Sequence, residues 1–323
     1  MHREPVREGS ADDPLAAAFA ALVDGPVVRR WMHRDGRRLG WVQSGEGGPT
    51  VVLEAGAMSP VASFAAVFQQ LAADFHVVAY DRAGYGVSDA APLTLELQLG
   101  DLVAVLDAAG DGPCVVVGHS WGGLLAQVAA WSRPDLIAGL VLVDPAHESL
   151  YDDLPAETAA ELGRHPSRTK PPRDDPRAAD LPAETLEEAE DVARSVGADP
   201  HVLTLLTTAF QSYVATDDQV FTQLDELPMI LDHIDEIAVR RASSSSAWTG
   251  KPLVVLTATK GRPPDSTKQV LALQEALVAS VGGRHIVVPD SGHYIHIDRP
   301  DLVVRAVRDV TQTLSRMPRN VAE

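Results

Sequence analysis

The sequence predicts an α/β fold with a mostly parallel sheet of eight strands, helices on both faces of the sheet and an inserted helical cap. Short continuous apolar runs alternate with helical segments, as is typical of parallel strands that are buried on both faces. The alternation stops between residues 146 and 248, where Ala, Glu, Asp, Pro and Arg dominate, and it resumes afterwards. We therefore predict an N-terminal extension at 1–26, a core at 27–145 and 249–323, and a cap at 146–248.

The predicted strands begin with an antiparallel hairpin. Its two strands, Val27–His33 and Leu39–Gln43, flank the turn signal Asp35-Gly36. Six parallel strands follow at Thr50–Leu53, His76–Tyr80, Cys114–Val117, Leu140–Val143, Leu253–Thr257 and His285–Val288. The predicted covering helices are Val61–Ala73, Leu95–Ala109, Leu124–Trp131, Ser266–Ser280 and Leu302–Leu314. This order predicts a doubly wound sheet.

The predicted cap contains helical stretches and two irregular segments. The helical stretches are Ala156–Gly163, Ala183–Ser195, Val202–Ala215 and Gln219–Leu227. Residues 164–177 are rich in proline and charge, which predicts a mobile loop. The serine run Ser243–Ser246 predicts a linker that returns the chain to the sheet.

Composition excludes several function classes. The 323 residues are 45% hydrophobic, which is enough for a large core, and the formal charge of −18 disfavours binding to nucleic acid or to an anionic membrane. The single cysteine, Cys114, excludes an internal disulfide. The N-terminal stretch lacks a secretory signal pattern and no run of 18 apolar residues occurs, so we expect a cytoplasmic protein. The oligomeric state is not predicted.

The motif Gly118-His119-Ser120-Trp121-Gly122 carries the candidate nucleophile. It lies between a β-branched run and a helical stretch, which is the strand, sharp turn and helix of a nucleophile elbow. The turn strains the backbone at the nucleophile, and the flanking glycines let strand and helix approach each other closely. We therefore predict that Ser120 attacks the substrate.

A serine nucleophile needs a base, and His293 is the predicted one. It lies in the loop Pro289–His293, directly after the last predicted strand, where it would stand above the same sheet edge as Ser120. His296 in the same loop is the rival. His119, beside the nucleophile, is expected to be a packed structural histidine.

Two aspartates compete for the role of the acid that orients the base. Asp144 ends the strand Leu140–Val143 at the carboxyl edge of the sheet, on a rigid element near the histidine loop. Asp265 follows the next strand, in the usual place for the acid, but it trails that strand by several residues and would also serve as a helix N-cap. We prefer Asp144 and keep Asp265 as the alternative.

Acyl transfer also needs two donors for the developing oxyanion. The backbone N–H of Trp121 is the first, and the second is expected from Ala57 in the loop after Thr50–Leu53, with Met58 as the alternative. Gly56 allows close approach to the substrate.

The substrate is expected to be apolar because Trp121 and Met58 flank the elbow. Trp248, beside the return linker, is a further candidate for the pocket. Apolar cap residues could line the pocket too, although packing of the cap on the core explains each of them equally well. They are Leu203, Leu206, Phe210, Tyr213, Phe221 and Met229.

With these motifs in hand, the chain resembles the α/β-hydrolases over about Val27–Leu314, the cap excepted. Besides the elbow it carries Asp81-Arg82-Ala83-Gly84-Tyr85-Gly86-Val87-Ser88, and Ser291-Gly292-His293 followed by Asp298-Arg299-Pro300. Where many relatives have His-Gly in the oxyanion loop, this chain has Ala55-Gly56. A serine at position 120 argues against relatives with an aspartate nucleophile, such as haloalkane dehalogenases and epoxide hydrolases.

The resemblance also suggests a substrate. An acid 24 residues after the nucleophile, 144 minus 120, is similar to the arrangement in zearalenone lactonases, which implies hydrolysis of a zearalenone-type macrolactone. A general carboxylesterase, a polyketide-offloading hydrolase or cyclase, and a hydrolase-fold receptor are the alternatives. The sequence contains no His-Glu-x-x-His motif, no cysteine pair and no phosphate-binding glycine loop, so no cofactor or metal is predicted.

Overall fold

The computed structural model describes residues 6–9, 13–110, 112–151 and 176–317. Within these ranges the strands are β1 (Arg7–Glu8), β2 (Val28–Arg34), β3 (Arg37–Ser44), β4 (Val51–Glu54), β5 (Val77–Tyr80), β6 (Cys114–His119), β7 (Ile137–Val143), β8 (Leu253–Ala258) and β9 (Arg284–Val288). They form one sheet in the order β1-β2-β3-β5-β4-β6-β7-β8-β9. β2 and β3 pair antiparallel with their neighbours, and the strands from β4 to β9 pair parallel.

Helices lie between most of these strands. They are α1 (Pro14–Ala20), α2 (Ala65–Leu71), α3 (Leu95–Ala108), α4 (Ser120–Ser132), α5 (Pro176–Ser195), α6 (Pro200–Gln211), α7 (Asp217–Asp232), α8 (Ile234–Ser244), α9 (Pro264–Val281), α10 (Ile295–Asp298) and α11 (Pro300–Arg316). Short 3₁₀ helices occur at Val61–Phe64, Glu148–Leu150 and Ser245–Trp248. In the ranges described, no helix combines the length and the apolar character needed to cross a membrane.

The sheet separates two hydrophobic layers. On β6, Val115 and Val117 face a cluster formed with α1, α2, α6 and α11. Cys114 and Val116, on the other face of the same strand, pack into a cluster formed with α3, α4 and α8. Because successive side chains of a strand point to opposite faces, a continuous apolar run is what a strand covered on both sides requires. The predicted α/β fold, a mostly parallel sheet with helices on both faces, is therefore confirmed.

The sheet has one strand more than predicted, and it lies in the predicted N-terminal extension. β1 consists of two residues that pair with Trp31 and Arg30, and two residues are too few to display a periodic pattern. The next helix, α1, also joins the core, since the ring of Phe19 lies 4.4 Å from that of Phe68. Arg29 on β2 forms ion pairs with both Asp13 and Asp81, which fixes the start of α1.

The segment between β7 and β8 is helical where it is described. The predicted helix at 156–163 and nearly all of the predicted loop at 164–177 lie outside the described residues, and α5 begins at Pro176. The predicted serine linker is instead the end of α8 and the start of a 3₁₀ helix. The sequence did not predict α8, because only Ile234 and Ile237 are buried on this helix. Two apolar positions are too few to show a helical periodicity.

Candidate active site

Ser120 occupies the sharp turn between β6 and α4. Its φ of +50° lies in the left-handed region, which a non-glycine residue adopts only when the surroundings impose it. The glycines make the turn possible, because a Cβ at Gly118 would lie 2.6 Å from the carbonyl oxygen of Gly122, and one at Gly122 would lie 2.3 Å from that of Ala55. The strand, the helix and the loop after β4 therefore meet at Ser120.

His293 and Asp144 are in direct contact. The imidazole Nδ1 lies 2.5 Å from Oδ2 of the carboxylate, and Asp144 is only 1% exposed while the His293 side chain is 42% exposed. A carboxylate at Nδ1 favours the tautomer that carries a proton on that nitrogen, which leaves Nε2 as the basic atom. The pair can therefore accept a proton at Nε2 while Asp144 stabilises the resulting imidazolium.

The Asp144 carboxylate is held by two further donors. Oδ1 accepts the backbone N–H of Ala258 at 3.0 Å, and Oδ2 also accepts from Nη2 of Arg262. Arg262 is itself tied down, since its Nε donates to the carbonyl oxygen of Ala258 at 3.1 Å. Asp144 has a φ of +43°, so its backbone adopts a conformation that these contacts must maintain.

Asp265, the alternative acid, has a different environment. It is exposed in the first turn of α9, where a carboxylate interacts favourably with the helix N-terminus, and Pro263 rather than Asp265 is the N-cap residue. The carboxylate that faces His293 is that of Asp144. Nothing in the sequence signalled the role of Arg262, which lies in the loop between β8 and α9, three residues before Asp265.

Two buried histidines adjoin His293 but do not share its exposure. Burial, with His293 nearby, lowers the pKa of His296 to about 3, and its Nε2 lies 3.3 Å from the hydroxyl of Ser63. Burial also holds the pKa of His119 well below its usual value. Both rings are therefore uncharged near neutral pH, and such a low pKa makes His296 a poor general base.

His119 connects the elbow to the histidine loop. Its Nε2 lies 3.1 Å from the carbonyl oxygen of His293, and the two rings are 4.6 Å apart. A Cβ added to Gly56 would lie 2.7 Å from His119 Nδ1 and 3.3 Å from the Cβ of Ser120. Three segments distant in sequence, namely the loop after β4, the elbow and the histidine loop, thus converge at one edge of the sheet.

The loop after β4, residues 55–58, has one backbone N–H already engaged. The N–H of Met58 donates to Oε2 of Glu226 at 2.8 Å, and Met58 itself has a φ of +58°. Of the two donors predicted from this loop, Ala57 is therefore the one that we retain. The N–H of Trp121 lies in the first turn of α4, where backbone donors lack an acceptor within the helix.

The side chains of Trp121 and Trp248, both predicted near the substrate, are buried in the core. The Trp121 indole is 1% exposed and donates to Gln98 Oε1 at 2.7 Å, so only its backbone is in a position to meet a substrate. Trp248 is 2% exposed and packs in the hydrophobic layer of α4, with Lys251 Nζ 5.0 Å from its ring centroid. The sequence could not distinguish a pocket-lining tryptophan from a core one because both need apolar neighbours.

A cleft of about 410 Å³ opens beside His293, between α5 and the histidine loop. Its lining combines apolar and acidic side chains and includes no lysine or arginine. The lining residues are Ala57, Met58, Leu181, Glu184, Thr185, Glu187, Glu188, Asp191, Gly292, His293, Tyr294, Ile297 and Asp298. A second cleft of about 480 Å³, between residues 90–93 and α7, contains none of the candidate catalytic residues.

Glu188 is the half-buried carboxylate of this cleft. It accepts a hydrogen bond from the Ser59 hydroxyl at 2.9 Å, and burial raises its pKa to about 7. Nothing in the sequence distinguishes Glu188 from the other acidic residues of α5. In the part of the chain that the structure describes, no group of three or more His, Cys, Asp or Glu side chains could hold a metal ion.

Comparison with known proteins adds the family context. The model of the alpha/beta hydrolase family matches residues 51–306. Lipase LipV of Mycobacterium tuberculosis is 52% identical over 71 residues, which are 22% of this chain and 27% of the lipase. Epoxide hydrolase 4 of Mus musculus is 31% identical over 134 residues, which are 40% of this chain and 37% of that protein. The matches thus cover well under half the length of these curated relatives.

A solved structure resembles the whole fold. The Cif epoxide hydrolase from Acinetobacter nosocomialis superposes with a TM-score of 0.66 at 18% sequence identity, over 94% of this chain and 98% of that chain. At this identity the similarity establishes the fold and leaves the reaction to be argued from the site.

Proposed function

Since the chain belongs to the alpha/beta hydrolase family, we propose that it hydrolyses a carboxylic ester or lactone through an acyl-enzyme on Ser120. The strongest support is the contact of His293 Nδ1 with Asp144 Oδ2 at 2.5 Å. The loop that carries His293 also contacts the elbow, because His119 Nε2 lies 3.1 Å from the carbonyl oxygen of His293. A base oriented by a carboxylate beside a strained serine is the constellation that acyl transfer requires.

In the proposed reaction, His293 Nε2 takes the proton of the Ser120 hydroxyl as Oγ bonds to the substrate carbonyl carbon. The N–H groups of Trp121 and Ala57 hold the oxyanion of the tetrahedral intermediate. The imidazolium then gives its proton to the leaving alkoxide oxygen as the ester bond breaks. Water, deprotonated by the same nitrogen, attacks the acyl-enzyme and releases the acid with Ser120 regenerated.

The cleft supports a neutral substrate. Met58, Leu181, Tyr294 and Ile297 provide apolar contacts. The lining also carries four exposed carboxylates besides Glu188 and no lysine or arginine, so it repels an anionic acyl or alcohol group. The cleft volume of about 410 Å³ suits a ligand of drug-like size. A zearalenone-type macrolactone is neutral and apolar, and it is the specific substrate that we propose to test first.

Epoxide hydrolysis is the second candidate because two of the similar proteins bear that name. A serine nucleophile favours ester hydrolysis over epoxide hydrolysis. Attack of a serine oxygen on an epoxide carbon would leave an ether, which has no carbonyl for water to attack, whereas attack on an ester leaves a hydrolysable acyl group. Ser120 therefore fits ester or lactone cleavage better than epoxide opening.

A substrate panel tests the proposal. The purified protein is incubated with zearalenone, with short-chain p-nitrophenyl esters and with styrene oxide, and Ser120→Ala is the control. We expect turnover of esters or the lactone that Ser120→Ala loses, and no turnover of the epoxide. Stoichiometric binding without turnover would instead favour a receptor, and activity confined to carrier-bound thioesters would favour an offloading enzyme. A cytoplasmic location belongs to the same proposal and is tested by cell fractionation.

A further inference from the structure

The loop that carries the second oxyanion donor is held at three backbone atoms. Arg82 donates to the carbonyl oxygens of Ala55 and Gly56, each at 2.6 Å, through Nη1 and Nη2 respectively. Glu226 accepts the N–H of Met58 at 2.8 Å. These contacts lie on both sides of Ala57 along the chain.

One of these contacts acts on the peptide unit that contains the donor itself. The carbonyl of Gly56 and the N–H of Ala57 belong to the same planar trans peptide, in which the two groups point in opposite directions. Arg82 holds this carbonyl on one side, so the N–H is directed to the other side. The guanidinium thereby fixes the direction of the Ala57 N–H without touching a substrate.

Arg82 is in turn fixed by a carboxylate from the segment between β7 and β8, which we call the inserted segment. Nε and Nη2 of Arg82 donate to the two oxygens of Glu226 at 2.9 and 3.1 Å, although Glu226 lies 144 positions later, on α7. Both side chains are buried, at 3% and 0% exposure. Glu226 also accepts from the Tyr85 hydroxyl at 2.7 Å, and Arg82 donates to Glu54 at 2.9 Å.

The same carboxylate reaches the other half of the oxyanion site. Gln98 Nε2 donates to Glu226 at 2.6 Å, and Gln98 Oε1 accepts the indole N–H of Trp121 at 2.7 Å. Trp121 supplies the first backbone donor in the proposed reaction. A single buried network thus joins the two residues whose backbone N–H groups must point at one oxygen atom.

We propose that Arg82 and Glu226 are positioning residues for the oxyanion site, through which helix α7 sets the direction of the Ala57 N–H. This inference rests on the proposed acyl transfer. Fixed donors stabilise a transition state because they need no reorganisation when charge develops, and small displacements cost about 10- to 100-fold in rate. A change in the position of α7 should therefore alter the rate of the chemical step more than it alters the affinity for the substrate.

The test compares Glu226→Gln with the wild-type protein. Gln keeps the shape of the side chain but replaces one accepting oxygen by a donor, which conflicts with the N–H and O–H groups aimed at it. For a p-nitrophenyl ester we expect kcat per titrated active site to fall about 10- to 100-fold with KM within about threefold. The affinity for an aryl trifluoromethyl ketone, which forms a tetrahedral adduct, should fall by the same factor as kcat/KM.

Two further variants separate positioning from loss of stability. Glu148→Gln disrupts another buried carboxylate, which binds Nε and Nη2 of Arg241 on α8. It should lower Tm while kcat per active site and the ketone affinity stay within twofold. Arg82→Lys keeps a cation opposite Glu226 but loses the planar fork that holds two carbonyls, and it should reproduce the kinetic pattern of Glu226→Gln.

The outcomes distinguish this inference from the proposed function. A wild-type protein that neither hydrolyses the esters nor binds the ketone would overturn both. An active wild-type protein whose Glu226→Gln and Arg82→Lys variants keep kcat and ketone affinity within twofold per active site would overturn the positioning role alone. Parallel losses of kcat and ketone affinity in these two variants, absent from Glu148→Gln, support it.

Discussion

Nδ1 of His293 lies 2.5 Å from Oδ2 of Asp144, although 149 positions separate the two residues in the chain. The contact joins the residue that directly follows β7, which ends at Val143, to the loop after β9. Asp144 thus holds the base from one strand earlier than Asp265 would. Arg262, in the loop after β8, donates to the same carboxylate oxygen as His293.

Substitution of Asp144 should therefore lower kcat far more than substitution of Asp265. Asp144→Asn keeps the size of the side chain but favours the wrong tautomer of His293, so we expect kcat to fall about 10³- to 10⁴-fold. Asp265→Asn changes an exposed side chain on α9 and should leave kcat within twofold. Steady-state kinetics on a p-nitrophenyl ester provides the measurement. Equal losses in the two variants would contradict the assignment of Asp144.

His293, in the loop after β9, and His296, in α10, should also differ in the effect of their substitution on turnover. His293→Ala removes the proposed base, and we expect at least about a 10³-fold loss of kcat with an unchanged Tm, because the side chain is 42% exposed. His296→Gln removes a buried ring that stacks on Phe64 at 4.4 Å, so it should lower Tm while retaining measurable turnover. Retained activity in His293→Ala would transfer the role to His296.

Glu188 should make stability fall as the pH rises toward neutrality. Its pKa is raised by burial to about 7, so between about pH 4.5 and 7 the folded state binds more protons than the unfolded state. The free energy of unfolding contributed by this group therefore decreases through that window. Glu188→Gln should be more stable than the wild-type protein at pH 8 and similar to it at pH 4.5.

Urea unfolding at both pH values measures this difference. Glu187→Gln, an exposed change on the same helix, is the matched control and should show no such trend. If the stability difference between Glu188→Gln and the wild-type protein were the same at pH 4.5 and 8, the carboxyl of Glu188 would not titrate in this window.

Charge on the acyl chain should control reactivity. We expect p-nitrophenyl hemisuccinate to have a kcat/KM about 10-fold or more below that of p-nitrophenyl butyrate, because the carboxylates of the cleft repel the anion. Raising the salt concentration should narrow the gap, as should the double variant Glu184→Gln and Glu187→Gln. Equal rates for the two esters at low salt would rule out this cleft as the acyl site.

The elbow and the strands could be predicted because their signals are local. A strand buried on both faces needs a continuous apolar run, as in β4 to β8, and the tight turn at Ser120 needs flanking glycines. Each requirement is met by residues within one short segment of the chain. The position of Asp144 at a strand end allowed it to be preferred over Asp265 for a similar reason.

The remaining features depend on contacts between distant residues. In the sequence, Glu226 is indistinguishable from any other acidic residue on an amphipathic helix. Its role follows from its contact with Arg82, which lies 144 positions earlier in the chain. Trp248 was expected in the pocket, but it packs under α4, because a large aromatic side chain next to a loop suits a core equally well. The additional strand β1, of two residues, is defined by its pairing with β2 rather than by its own sequence.

The most direct test of the central claim is covalent labelling of the nucleophile. The protein is treated with an alkyl fluorophosphonate, which phosphonylates an activated serine, and the intact mass and the labelled peptide are determined by mass spectrometry. We predict one adduct per chain, located at Ser120, absent from Ser120→Ala and formed far more slowly in His293→Ala. An unlabelled wild-type protein, or an adduct on another residue, would contradict the assignment of Ser120 as the nucleophile.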